Sequence, residues 1–126
     1  MNSDSSSQGK HVLVVDDDPG VHAVLRMALE DEGYAVQAAH DGAEAIDCLR
    51  QGQFDVVLLD LMMANVSGWK FLELYRQSPG PLTPVIVLSA LQRNALKLPT
   101  ELIAAVLAKP FSVDHLLQTI RRVVGG

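Results

Sequence analysis

The chain has 126 residues, 15 of them acidic against 10 basic, for a formal net charge of −5. That length fits one domain able to bury a core without staples, and the charge lacks the clustered lysine and arginine that nucleic-acid phosphates require. Hydrophobic residues make up 48% and charged ones 20%, and no apolar run approaches the roughly 20 residues of a membrane span.

The single cysteine, Cys48, excludes an internal disulfide and is expected in the core beside Ala45, Ile46 and Leu49. Residues 1–9 carry neither an apolar stretch nor arginine. They read as a disordered leader ahead of a cytoplasmic domain over 10–126, not as a targeting peptide. His11, His22, His40 and His115 show no metal-binding spacing and are taken as structural or surface residues.

Short apolar runs alternate with longer stretches of helical period, the pattern of a parallel sheet covered on both faces. The first strand is expected at His11–Val15. A helix follows, with Asp18 as N-cap, Pro19 in its first position and Val21, Val24, Leu25, Ala28 and Leu29 on one face, until Gly33 stops it. A weaker strand lies near Tyr34–Ala39, and Asp41-Gly42 turns into a second helix through Ala43, Ile46 and Leu49. The third strand is Val56–Asp60. Helix three runs from about Trp69 to Gln77, closed by Ser78-Pro79-Gly80-Pro81, and strand four is Val85–Leu88. Pro99 interrupts Leu91–Ala104, so a short or irregular fourth helix is expected there. Strand five is about Ala105–Ala108 and a fifth helix starts at Val113, with Arg121-Arg122 on its solvated face.

Right-handed crossovers turn such units into an α/β fold with a doubly wound five-stranded parallel sheet, order 2-1-3-4-5, whose ligands sit beyond the carboxyl ends of the strands. Asp16, Asp17 and Asp18 follow strand one, Asp60 ends strand three, Ser89-Ala90 follows strand four and Lys109-Pro110 follows strand five. All fall on one edge, and the acids flank the point where the strand order reverses.

Crowded carboxylates repel, and a bound cation relieves them. Mg²⁺ suits hard oxygen ligands, so Asp17, Asp60 and a loop carbonyl are candidate ligands. Asp60 is then a carboxylate nucleophile toward phosphorus. Ser89, the Ala90 backbone N–H and Lys109 would receive the phosphoryl oxygens.

These residues resemble the receiver domain of two-component response regulators, over about residues 10–124. His11-Val12-Leu13-Val14-Val15-Asp16-Asp17-Asp18-Pro19 is similar to that family's first strand and acidic pocket, and Val57-Leu58-Leu59-Asp60-Leu61-Met62-Met63 to its phosphorylation strand. Ser67-Gly68-Trp69, Ser89-Ala90 and Lys109-Pro110-Phe111 match the helix-opening glycine, the hydroxyl with its small neighbour, and the lysine before a usually cis proline.

The resemblance implies a flavodoxin-like (βα)5 fold. It also implies that Asp60 takes a phosphoryl group from a phosphohistidine on a sensor histidine kinase or phosphotransfer protein. Asp17, Asp60 and the Met62 carbonyl would hold Mg²⁺, with Asp16 assisting through a water. Ser89 and the strand-five position at Val106 are the switch residues. They would reshape the face of helix four, strand five and helix five for a downstream protein partner. Such a domain catalyses only its own phosphorylation and dephosphorylation. It is expected as a monomer or weak homodimer that contacts neither nucleic acid nor membrane.

Three features depart from the family pattern. Ala64 stands where a proline is common, Val106 where an aromatic is usual, and the interval from Ser89 to Lys109 is short and holds Pro99. Two other readings compete. One is a degenerate receiver that binds partners without phosphorylation. The other is a haloacid-dehalogenase-type phosphatase, whose DxD spacing Asp16-Asp17-Asp18 also satisfies, although beyond Lys109 only Asp114 is acidic.

Met62 and Leu91, two residues after Asp60 and Ser89, occupy positions that line the path of attacking water in the family, and both are apolar. A drier path lengthens phosphoryl lifetime, so a Met62→Asn, Leu91→Glu double variant should lose phosphate several-fold faster. Unchanged decay of the radiolabelled protein would refute this.

Overall fold

The computed structural model describes residues 10–61, 68–78, 82–90 and 101–125. In chain order these form β1 (His11–Val15), α1 (Pro19–Asp31), β2 (Ala35–Ala39), α2 (Gly42–Gln51), β3 (Val56–Asp60), α3 (Gly68–Arg76), β4 (Val85–Ser89), β5 (Ile103–Ala108) and α4 (Val113–Val124). The strands make one parallel sheet in the order β2-β1-β3-β4-β5, the doubly wound, flavodoxin-like arrangement expected from the alternation of elements. None of the described helices is long and apolar enough to cross a membrane.

Side chains alternate across each strand, so the sheet builds two cores. Leu13, Val15, Val57, Leu59, Val85 and Val87 face α2 and α3, meeting Ala45, Ile46, Phe71, Leu72 and Tyr75. Val12, Val14, Val56, Leu58, Ile86 and Leu88 face α1 and α4, meeting Leu25, Leu29, Leu116, Leu117 and Ile120. Every residue of β3 and β4 is buried, as expected for the middle strands of a two-faced sheet. Each fully buried aliphatic side chain contributes about 1.5–3 kcal/mol of transfer free energy. Cys48 is half-buried and packs against the first of these cores.

Local chemistry places the helix ends. The Asp18 side chain accepts from Gly20 N, and Pro19 opens α1 with its fixed φ. Asp41 and Ser112 cap α2 and α4 in the same way, accepting from Glu44 N and His115 N. Gly33 closes α1 at φ 92°, a left-handed conformation glycine adopts without a Cβ clash. Arg121 and Arg122 are exposed at the end of α4, and Arg121 reaches Glu32 at 3.2 Å. That exposed pair adds little stability.

The structure corrects two expectations. Val24 is 60% exposed and His22 takes the inward position, with Leu25 and Leu29, on α1. The expected fourth helix falls mostly on residues 91–100, outside the described residues. Its described end is instead a turn at Glu101-Leu102 and the first part of β5, Ile103 and Ala104. Four helices are therefore present among the described residues, and the helix that starts at Val113 is α4. The β4–β5 register shifts between Val85 and Ile86, which pair with Ile103 and Ala105. Ala104 is the extra, exposed residue of that irregularity.

The two buried tyrosines differ. Tyr75 accepts from Thr83 N at 2.7 Å, whereas the Tyr34 hydroxyl is buried with no hydrogen-bond partner among the described residues. Burial pushes the Tyr34 phenol up, opposed by Arg121 and assisted by Glu32. Because a buried unpartnered hydroxyl costs stability, Tyr34→Phe should leave stability unchanged or raise it by about 1 kcal/mol in denaturant unfolding. A loss of that size would contradict the assignment.

Candidate functional site

The register of the sheet assembles the site. Val15 pairs with Leu59, so the next residues, Asp16 and Asp60, emerge level with each other at the carboxyl ends of β1 and β3. Asp60 pairs with Leu88, one residue before Ser89, and Ser89 pairs with Ala108, one residue before Lys109. The Lys109 N–H then donates to the Ser89 carbonyl at 2.7 Å, tying the exits of β4 and β5 together. The Lys109–Pro110 peptide is cis.

Carboxylate oxygens of Asp16, Asp17 and Asp60 all lie within 4.8 Å of one another. Asp16 and Asp60 are buried, at 2% and 7% exposure, and Asp17 is exposed. The Lys109 ammonium stands 3.5 Å from Asp60 Oδ2. Ser89 is buried beside this group and Ala90 is exposed. Val106 on β5 is half-buried, pairs with Val87 and packs against the α2/α3 core. Met62, Ala64 and Leu91 lie outside the described residues.

Asp16 is fastened on several sides. Its amide donates to the Ala39 carbonyl at 3.1 Å, and its Oδ1 accepts from Asp18 N at 2.9 Å. Its carbonyl accepts from His22 Nε2 at 2.6 Å. Its Oδ2 is buried with no hydrogen-bond partner among the described residues. Burial raises the Asp16 carboxyl above the ordinary aspartate range. The Asp18 amide opposes this, the Asp60 charge adds to it, and Lys109 and His22 oppose it. An all-oxygen, anionic donor set with a buried unpartnered oxygen fits a hard divalent cation. Asp18 does not join the set, because its Oδ1 caps α1 at 2.8 Å from Gly20 N. Asp18, the second acid of the DxD spacing, thus serves as a helix cap here.

Gly68 closes the far side of the β3 exit. Its amide donates to the Leu61 carbonyl, and a Cβ there would lie 2.6 Å from Leu61 Cα and 2.9 Å from the Asp60 carbonyl oxygen. Only glycine lets the start of α3 approach the backbone that carries Asp60.

The comparisons with known proteins agree with this architecture. The response regulator receiver domain profile matches residues 12–121. The chain belongs to the receiver domain family of two-component response regulators. It is 37% identical over 113 residues to the uncharacterized transcriptional regulatory protein YkoG of Bacillus subtilis, covering 88% of this chain and 49% of that protein. It is 38% identical over 122 residues to response regulator MprA of Mycobacterium avium, covering 90% and 50%. The receiver thus spans about half the length of the curated relatives it matches.

Among solved structures, it superposes on response regulator TrrA of Thermotoga maritima in complex with Mg²⁺–BeF at a TM-score of 0.80 and 29% identity, covering 90% of this chain and 98% of that one. Chemotaxis response regulator CheY4 of Vibrio cholerae gives a TM-score of 0.81 and 32% identity, with coverage of 90% and 98%. As a receiver, the domain is a signalling module and not a conventional enzyme.

Of the residues singled out in the sequence, Asp16, Asp17, Asp60, Ser89 and Lys109 come together. His22 was missed as a contact of the site. Its position four residues after the cap Asp18, on the turn that faces back toward β1, is the one signal that pointed to it.

Two outcomes follow from this geometry. A carboxyl whose folded pKa lies above its unfolded one favours folding below the unfolded value and loses that contribution as pH rises through the folded value. Ionised Asp16 therefore costs stability at neutral pH. In chelator at pH 7, Asp16→Asn should raise Tm by a few degrees, and the gain should vanish as pH falls below the ordinary aspartate range. Gly68→Ala should lower stability by about 1–3 kcal/mol in denaturant unfolding, because backbone and not a flexible side chain must move.

Proposed function

We propose that Asp60 is the phospho-acceptor of this receiver, taking a phosphoryl group from a phosphohistidine on a sensor histidine kinase or phosphotransfer protein. The observation that carries the reading is the cluster of three carboxylates within 4.8 Å of one another, with the Lys109 ammonium 3.5 Å from Asp60 Oδ2. The Mg²⁺–BeF complex of TrrA supports Mg²⁺ as the cation. Asp17, Asp60 and the Met62 carbonyl would hold it, with Asp16 assisting through a water. When bound, the ion neutralises the acidic cluster and the phosphoryl charge.

In the transfer, an Asp60 carboxylate oxygen forms the new O–P bond. The N–P bond of the donor imidazole breaks and its electron pair stays on nitrogen. The chain's own part is positioning and charge balance. Lys109 offers its ammonium to one phosphoryl oxygen, and Ser89 with the Ala90 N–H offers donors to another. The buried setting of Asp60 limits water around the reacting atoms.

Phosphorylation then draws Ser89 and Lys109 toward the new oxygens and biases the face that the family resemblance assigns to helix four, strand five and helix five, of which β5 and α4 are described, and that face controls a downstream protein partner. With Val106 on β5 in place of an aromatic, that bias is carried through Ser89, the Lys109–Ser89 backbone bond and the packing of Val106 against Val87, not through rotation of a ring. The receiver catalyses only its own phosphorylation and dephosphorylation, over a domain of residues 10–126 in the cytoplasm. Its names among relatives, response regulator and transcriptional regulatory protein, support a regulatory output.

Incubation with acetyl phosphate and Mg²⁺, read by intact mass, should add one phosphoryl group to the wild type and none to Asp60→Asn. No adduct on the wild type from acetyl phosphate or a phosphohistidine donor would leave a receiver that binds partners unphosphorylated. An adduct retained in Asp60→Asn would move the acceptor elsewhere.

A further inference from the structure

We infer that His22 is a positioning residue of the acidic pocket, holding the Asp16 main chain through its imidazole Nε2–H and thereby setting the pocket's affinity for a divalent cation. This rests on the reading of the pocket as a Mg²⁺ site. A carbonyl oxygen only accepts, so the 2.6 Å contact between His22 Nε2 and the Asp16 carbonyl requires the proton on Nε2. The ring is buried, at 8% exposure, and lies where α1 turns back over the end of β1.

Its orientation is held in turn. The His40 ring packs on it at a centroid distance of 4.9 Å, and the His40 Nδ1 donates to Glu44 Oε1 at 3.0 Å. Glu44 itself sits in the first turn of α2 and also accepts from the His40 amide. A chain of contacts thus runs from the start of α2 to the backbone of the buried pocket acid.

The hydrogen bond matters because Asp16 is squeezed. Its carboxylate is buried against Asp60, and electrostatic repulsion favours a movement of Asp16 away from its neighbours. Among the described residues three hydrogen bonds resist that movement, and the one from His22 is donated by a side chain. Without it, a buried carbonyl is left unsatisfied and the end of β1 relaxes, spreading the oxygens a cation would gather. Asp16 would reach the cation through a water, and residues that fix such outer-shell groups commonly change metal affinity tenfold or more.

The test compares His22→Met, which keeps the volume and loses the donor, with His22→Gln, which keeps an N–H at similar reach. Mg²⁺ affinity is read by calorimetry and Tm is read in chelator. The expected result is about tenfold weaker Mg²⁺ binding in His22→Met and recovery to within a few-fold in His22→Gln. Equal affinity in His22→Met and wild type, whatever the Tm, overturns the inference. So does equal weakening in both variants, which would assign the effect to ring packing. The unaltered protein gives an independent reading if His22→Met does not fold. Imidazole ¹⁵N NMR should show a protonated His22 Nε2 whose resonance shifts on addition of Mg²⁺, and a bare Nε2 or a resonance indifferent to Mg²⁺ overturns it. Failure of the wild type itself to bind Mg²⁺ would instead defeat the metal-site reading, and this inference with it.

Discussion

Like charges held at close quarters by a rigid sheet are the constraint on which this domain depends. The pairing of β1 with β3 puts Asp16 and Asp60 at the same height, and the core on both faces leaves the strands no freedom to slide apart. A one-residue slip would reverse every inward side chain of a strand, so burial of Val12 to Val15 and Val56 to Leu59 enforces the register that crowds the acids. The destabilisation is local and the stabilisation is global, which is how a folded domain keeps a site its own electrostatics oppose.

The remaining residues of the site answer that charge. Lys109 arrives from the next strand but one, fixed by its backbone bond to Ser89 and pointing its ammonium at Asp60. Gly68 brings α3 against the other side of the β3 exit. Behind the acids, His22 bridges from α1 to the Asp16 carbonyl. Strands supply the acids, the hydroxyl and the lysine, while helices hold the backbone that carries them.

Much of this was legible in the residues, for reasons that are themselves physical. The unbroken run Val56–Leu59 ending in Asp60 has few readings other than a buried parallel strand with its acid at the exit. Asp18-Pro19 marks a helix start because the cap and the fixed proline φ act together. The misses have equally specific causes. Ile103-Ala104-Ala105 carries no β-branched alternation and includes an irregularity that places Ala104 outward, so its strand character comes from pairing with β4 and not from propensity. Val24 was assigned inward by hydrophobicity alone, yet the helix rotates so that His22 faces the strand end and Val24 faces out. A polar residue that satisfies a buried carbonyl outranked an apolar one, and periodicity cannot register that exchange.

Whether the crowded acids form a cation and phosphoryl site is decided by equilibrium unfolding of the wild type in chelator, in Mg²⁺, and in Mg²⁺ with beryllofluoride, because any ligand that binds only the folded site raises stability by mass action. At about a hundred times its Kd the gain is about 2.7 kcal/mol. Two successive rises in the denaturation midpoint are expected, the first from relief of the crowded carboxylates and the second from filling the phosphoryl position. A midpoint indifferent to both ligands would contradict this, since carboxylates that gain nothing from a divalent cation are not held in the tension described.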